Sequence, residues 1–344
     1  MSRVRLFLLL LALAATVLLG SWGGSQGLAS LLVLDPDRDE APAPALEPPT
    51  GDIAPSHYII IAVQDGARYA DTFGDPAGSN IPYMWNYLRS QGAILNRFYN
   101  RGLTLTDPGH ASLLTGTDQW LDNSGLLRPD KPTFFEYHRL HHPPLGPGDT
   151  WVVSGKTKLK ILSHSRGGGS WGASVDAFDG EDDQVWQEVQ RIMDQNSPSI
   201  IVANFPSTDK RGHEGNWEGY LGAVRNFDRI AYELWNKIQS SPRYRDKTTL
   251  ILTNDHGRSD LDWREHGDGT EGSRHIMLVA LGPGIKQGLI SDKARALTDI
   301  VPTIGRLMGC PVPEARGEVM DEVLETPVLV GVNVPEHPAA DLLP

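Results

Sequence analysis

Thr249-Leu250-Ile251-Leu252-Thr253-Asn254-Asp255-His256-Gly257 reads as a buried strand that ends in a carboxylate and an imidazole. A short, largely apolar run closed by a glycine has the pattern of a strand covered on both faces. Open α/β sheets gather their ligands at the carboxyl edge of such strands. Asp255 and His256 would therefore bring an oxygen and a nitrogen donor to that edge. Asp-His pairs also occur in ordinary surface turns, so the reading depends on what other segments deliver to the same place.

Outward from this strand, apolar runs alternate with helical patterns. Strands are predicted at His57–Val63, Trp151–Val153, Ile200–Asn204, 249–253 and Ile276–Leu281. Helices are predicted at Pro82–Arg89, Pro108–Leu114, Asp182–Asp194, Trp217–Ile238 and Asp299–Leu307. Proline is tolerated in the first turn of the two helices that it opens. Val185, Val189, Ile192 and Met193 share one face of the 182–194 helix. Such alternation implies an α/β fold: a largely parallel central sheet with helices on both faces, three layers in all.

The chain has 344 residues and a net charge of −12. That length supports a sizeable core, and no Lys/Arg track suggests a nucleic-acid partner. Arg3 and Arg5 flank an apolar stretch from Leu6 to Leu19, shorter than the roughly 18 residues expected of a spanning helix. The expectation is a signal peptide over residues 1–30, with an N-terminal membrane anchor as the alternative, and hence a secreted or periplasmic location. A Pro- and Asp-rich linker over 31–52 follows, then a catalytic domain over 53–325 and an irregular tail over 326–344. Cys310 is the sole cysteine, so no intrachain disulfide forms.

Asp, His and Thr residues recur beside the predicted strand ends. Asp65 follows the first strand, and Thr106 precedes the Pro108 helix. Asp209 and His213 follow the Ile200 strand, and Asp255 and His256 end the 249–253 strand. His266 sits in the Gly-rich loop before Ile276. Carboxylate and imidazole donors without thiolate suit Zn²⁺, Mn²⁺ or Mg²⁺, and three imidazoles favour Zn²⁺. Six side chains are too many for one tetrahedral ion and divide between two. Two metals roughly 4 Å apart clamp the attacking and leaving oxygens of an in-line displacement, which suits a phosphoryl or sulfuryl centre.

Asp65-Gly66, Thr106-x-Pro-Gly-His-Ala-Ser-Leu-Leu-Thr-Gly116, Asp209-x-x-x-His213, Asp255-His256-Gly257 and His266-Gly267 stand in the order seen in the alkaline phosphatase superfamily. The chain most resembles its single-Thr phosphatases and its nucleotide pyrophosphatase/phosphodiesterase branch. Asp299-Ile-Val-Pro-Thr303 with Leu307-Met-Gly309 resembles the terminal core helix of the same superfamily. This likeness spans about residues 55 to 325. It implies an extracytoplasmic phosphoester hydrolase that acts on a small-molecule substrate through a phosphothreonine. Thr106 would be the nucleophile. One metal would be held by Asp209, His213 and His266, the other by Asp65, Asp255 and His256 with Thr106 alongside.

The resemblance also implies substrate contacts. Ser154-Gly-Lys156-Thr-Lys158 is similar to a Ser-x-Lys-x-Arg segment that holds free phosphate oxygens in some phosphomonoesterases of the superfamily. Here Lys158 replaces Arg, and a point charge does not reproduce the bidentate fork. Asn123 lies where the family often places an amide against a phosphate oxygen, at a different offset. A solvated basic patch is the plain alternative for the two lysines. Thr104 competes with Thr106, and His275 with His266. The resemblance prefers Thr106 by its Thr-x-Pro-x-His spacing and His266 by the glycine after it. His110 reads as structural, and the remaining histidines as surface residues. A sulfatase-like hydrolase, a phosphoryl-group transferase and an inactive envelope binding protein are the alternatives. Thr106-Asp-Pro-Gly lacks both the Cys or Ser and the Arg of the usual sulfatase pattern.

Overall fold

In chain order the strands are β1 (Tyr58–Gln64), β2 (Gly92–Tyr99), β3 (Thr150–Ser154), β4 (Ser174–Ala177), β5 (Ile200–Phe205), β6 (Thr248–Thr253), β7 (His275–Leu281), β8 (Leu289–Ser291) and β9 (Arg295–Ala296). The main helices are α1 (Thr106–Thr115), α2 (Phe134–His141), α3 (Asp182–Gln195), α4 (Ser207–His213), α5 (Trp217–Ser240) and α6 (Ile300–Met308). They come from a computed structural model that describes residues 56–325. The expected signal or anchor segment, most of the linker and the C-terminal tail lie outside the described residues. Among the described residues, no helix is long and apolar enough to cross a membrane.

The strands form one sheet in the order β4-β3-β5-β1-β6-β7-β2-β8, with β9 also paired to β2. All pairings are parallel except those of β7, which runs antiparallel to both β6 and β2. This reversal places the site. The chain leaves β6 at its carboxyl end and re-enters β7 at the same edge, so the whole 254–274 loop stays there.

Side-chain alternation along β1 divides the core in two. Ile59, Ile61 and Val63 pack with α1, α2 and α6, while Ile60 and Ala62 pack with α3 and α5. An apolar strand covered by helices on both faces is the expected solution for a parallel sheet. The sequence reading passed over β2. Its apolar run is broken by Asn96-Arg97, where the register with β7 shifts between Leu95 and Phe98. At Pro82–Arg89 the expected helix becomes a π-helical turn over Met84–Leu88. The buried Asp228 carboxylate accepts the Tyr83 and Met84 N–H groups at 2.8 and 2.7 Å.

Candidate metal centre

β1 and β6 are neighbours, with Val63 opposite Thr253, so Asp65 and Asp255 leave the sheet side by side. Both are fully buried, as is His256. The His256 Nδ1 lies 2.8 Å from the Gly257 carbonyl oxygen. A ring nitrogen facing a carbonyl is the donor, which leaves Nε2 with its lone pair. That Nε2 is 3.6 Å from Asp65 Oδ1 and 3.4 Å from Asp255 Oδ2. Neither His256 Nε2 nor Asp255 Oδ2 has a hydrogen-bond partner.

Asp209 and His213 stand four residues apart on α4, one helical turn, and share a face. His213 Nε2 is 3.4 Å from Asp209 Oδ1, and His266 Nε2 is 3.5 Å from the same oxygen. The two imidazole nitrogens are 3.1 Å apart. His266 Nδ1 donates to the Thr104 carbonyl oxygen at 2.9 Å, so its Nε2 also keeps a lone pair. The His266 ring stacks on His256 with centroids 3.9 Å apart, and Asp209, His256 and His266 form a second set of converging donors beside Asp65, Asp255 and His256. His256 thus stands between the two groups. His275 lies elsewhere, stacked on Tyr69 and bonded to the Asn96 carbonyl.

Thr106 is the first residue of α1, after the extended Leu105 at the N-cap, and its hydroxyl caps nothing. Its Oγ1 lies 3.3 Å from Lys156 Nζ. The same ammonium is 2.9 Å from Asp65 Oδ1 and 2.7 Å from Asp209 Oδ2. Thr104 turns its carbonyl, not its hydroxyl, to the cluster. Gly109 lets α1 approach closely, since a Cβ there would meet the Asp255 carbonyl oxygen at 2.5 Å.

Asn123 and Lys158 stand beside the residue after Thr106. Lys158 Nζ is 3.2 Å from Asp107 Oδ1 and 2.7 Å from Asn123 Oδ1. Asn123 Oδ1 also accepts the Asp107 N–H at 2.9 Å. Asn123 holds a left-handed φ of 62°, a conformation Asn tolerates better than most residues.

Three contributors were missed or undervalued in the sequence. Arg258 is fully buried and donates to Asp209 Oδ1 at 2.7 Å. Asn204 donates to Asp65 Oδ2 at 2.8 Å. His110 does bond its own helix turn through the Thr106 carbonyl, as expected, but it also lies 3.3 Å from Asp255 Oδ2. Two residues after Asp255-His256, a charged Arg258 at a buried sheet edge was a readable signal. His138 also departs from its surface reading: it is buried, with Nε2 on Ser199.

The charges inside the cluster follow from burial and neighbours. Burial raises Asp65, and Asp255 adds to the rise. Burial works against the Asp209 carboxylate as well, yet Lys156 and the surrounding imidazoles hold it well below the usual range. Burial and His256 push the His266 imidazole down to about 3, which keeps it neutral.

A pair of divalent cations fits these residues. Buried polar atoms without partners are rare in folded proteins, and here two of them, Asp255 Oδ2 and His256 Nε2, face one point with Asp65 Oδ1. The donors are carboxylate and imidazole, and the tautomers of His256 and His266 are fixed by carbonyl acceptors behind them, as in most imidazole metal ligands.

Residues 169–312 match the family model described as the Metalloenzyme superfamily. GPI ethanolamine phosphate transferase 2 of Kluyveromyces lactis is 24% identical over 301 residues, covering 78% of this chain and 37% of the transferase. The chain thus spans little more than a third of that relative. Murine ectonucleotide pyrophosphatase/phosphodiesterase 5 superposes with a TM-score of 0.60 at 12% identity, covering 78% of this chain and 100% of that one. A protein of the alkaline phosphatase superfamily from Vibrio parahaemolyticus gives 0.57 at 16% identity, covering 80% and 72%. At these identities the structural likeness is one of fold.

Proposed function

Because residues 169–312 match the metalloenzyme superfamily model and the chain has the alkaline phosphatase-like α/β fold, we propose that it is a metal-dependent phosphoester hydrolase with Thr106 as its nucleophile. One observation carries this reading. The Thr106 hydroxyl lies beside an ammonium that touches one carboxylate from each donor set.

Asp209, His213 and His266 would hold one cation, and Asp65, Asp255 and His256 the other, with Zn²⁺ favoured by the imidazoles. Bound there, the two cations would stabilise charge on the attacking and leaving oxygens of an in-line displacement. Thr106 would attack phosphorus from the start of α1, where the helix dipole favours negative charge. As the bond from Thr106 Oγ1 to phosphorus forms, the P–O bond to the leaving group breaks, and the hydroxyl proton of Thr106 passes by way of solvent to the departing oxygen. Water then attacks phosphorus as the bond to Oγ1 breaks; one water proton goes to Oγ1 and restores the hydroxyl, and the water oxygen leaves on the released phosphate. Lys156 and the Asn123 amide would serve the non-bridging oxygens. His110 steadies the Thr106 backbone, and Arg258 and Asn204 fix the carboxylates of Asp209 and Asp65. The extracytoplasmic location belongs to this proposal and rests on the 1–30 segment alone.

The test is a panel of aryl phosphate monoester, diester and sulfate substrates on the Zn²⁺-reconstituted chain. Turnover of a phosphoester that chelator abolishes is expected. Equal rates with and without chelator would rule the mechanism out.

A phosphoryl-group transferase is the second reading, favoured by the alignment to the transferase over 78% of this chain. An acceptor alcohol would then replace water in the second step. Product analysis with excess alcohol separates the two, since a hydrolase releases inorganic phosphate or a free monoester as its main product.

A further inference from the structure

Lys156 sits inside the donor cluster, its side chain only 14% exposed, with Nζ 2.9 Å from Asp65 Oδ1 and 2.7 Å from Asp209 Oδ2. These two carboxylates belong to different donor sets, so a single monovalent charge bridges both. The other oxygen of each is already committed. Asn204 Nδ2 donates to Asp65 Oδ2 at 2.8 Å, and Arg258 Nη1 to Asp209 Oδ1 at 2.7 Å. On each of these two carboxylates, the oxygen that faces an imidazole touches a cationic side chain: Asp65 Oδ1 meets Lys156, and Asp209 Oδ1 meets Arg258.

The lysine is held there from its backbone. Its N–H donates to Ser154 Oγ at 3.0 Å, and that hydroxyl also reaches Asn204 Oδ1 at 3.1 Å, which ties the loop after β3 to the carboxyl end of β5. A buried carboxylate left without a cation would be costly; Lys156 removes that cost for Asp65 and shares the task with Arg258 for Asp209. A divalent cation entering the Asp65 set has to share or take Oδ1, which Lys156 holds, and one entering the Asp209 set binds a carboxylate whose other oxygen Lys156 holds; either then faces the ammonium as a like charge.

Taking the cluster as the two-metal site proposed above, we propose that Lys156 is a built-in competitor for metal. It neutralises Asp65 and Asp209 before loading and yields at least one of them on loading. The freed ammonium, 3.3 Å from Thr106 Oγ1, is then available to an anionic phosphoryl oxygen. Metal loading and capture of the substrate's charge would be linked through one side chain.

The experiment is titration calorimetry of Zn²⁺ into the chelator-stripped full chain, with thermal melts in chelator and in Zn²⁺, for the wild type, Lys156→Met and Lys156→Gln. Removing the ammonium should tighten Zn²⁺ binding by about tenfold or more. Both variants should melt lower than the wild type in chelator and gain more from Zn²⁺. A variant that is unfolded in chelator but regains its far-UV circular dichroism with Zn²⁺ supports the proposal. Equal Zn²⁺ affinity in wild type and variants overturns it and leaves the two-metal reading standing, as does a variant that stays unfolded with Zn²⁺. Failure of the wild type to bind Zn²⁺ removes both.

Discussion

Arg258 Nη1 donates to Asp209 Oδ1 across 2.7 Å in a fully buried pair, while its Nε and Nη2 hold the carbonyls of Trp263 and Arg264. One guanidinium thus ties α4, which carries Asp209 and His213, to the loop that carries His266. Glycine makes room for it: a Cβ on Gly212 would fall 2.3 Å from Arg258 Cζ. Arg258→Met should lower the melting temperature, because breaking a buried ion pair from one side costs about 3–5 kcal/mol. It should also weaken Zn²⁺ binding by roughly 10- to 100-fold, the usual effect of losing a group that orients a metal ligand. Arg258→Lys should rescue little, since an ammonium cannot make the three divergent bonds. Calorimetric Zn²⁺ affinity equal to wild type in both variants would reject this positioning role.

Thr106→Ala should reduce phosphoester turnover by at least about a thousandfold, as removal of a nucleophile generally does, while Zn²⁺ stoichiometry stays at two. Thr106→Ser should keep measurable turnover because the hydroxyl survives. Phosphate trapped on residue 106 by acid quenching, seen by mass spectrometry in wild type and absent in the Ala variant, is the companion readout. Wild-type rates in Thr106→Ala would leave Thr106 as an ordinary helix-start residue.

The 249–257 stretch carried much of the fold because a strand covered on both faces writes its burial directly into its composition. Asp65, Asp209 and Asp255 were legible for the same reason: each follows an apolar run, and parallel strands end at one edge. β2 was not legible, since a bulge at Asn96-Arg97 interrupts its pattern. The partners behind the donors were harder still. Asn204 reads as the polar end of a strand and Arg258 as a loop charge. Their roles depend on bonds to Asp65, 139 positions away in sequence, and to Asp209, 49 away. Lys158, expected as a substrate contact with a solvated patch as the alternative, pairs with Asp107 and Asn123.

Asp182 opens α3 and brackets α4. Its Oδ1 accepts the Ser207 N–H at 2.9 Å, and its own N–H donates to Ser207 Oγ at 3.0 Å, while Oδ2 has no partner. Burial pushes this carboxyl up to about 7. Between about pH 4 and pH 7 the native state therefore keeps a proton that the unfolded chain has released. Its contribution to stability falls as pH rises through that window and is flat on either side, by on the order of 4 kcal/mol at most. Asp182→Asn keeps the Oδ1 acceptor and removes the titration. Urea unfolding from pH 4 to pH 8 should give a wild-type stability that declines relative to the variant as pH rises. Parallel curves would show that Asp182 ionises as freely in the folded chain as in the unfolded one.

Lys156 and Lys158 lie two residues apart and face different partners. Lys156 Nζ reaches Thr106 Oγ1 at 3.3 Å, while Lys158 Nζ meets Asp107 and Asn123 and steadies the first turn of α1. A monoester dianion offers more negative charge than a diester, so Lys156→Ala should lower kcat/KM for an aryl monoester more than for the matching diester. Lys158→Met removes a support, not a substrate contact. Small misplacements of a reacting group cost up to about 100-fold, so a loss of roughly tenfold in kcat is expected, similar for both substrates and with KM little changed. Asp107→Asn, which weakens the same support from its other side, should show the same substrate-independent loss. If Lys158→Met instead raises KM for the monoester alone, its ammonium leaves Asp107 to bind the phosphoryl group, and the substrate-facing reading of that lysine returns.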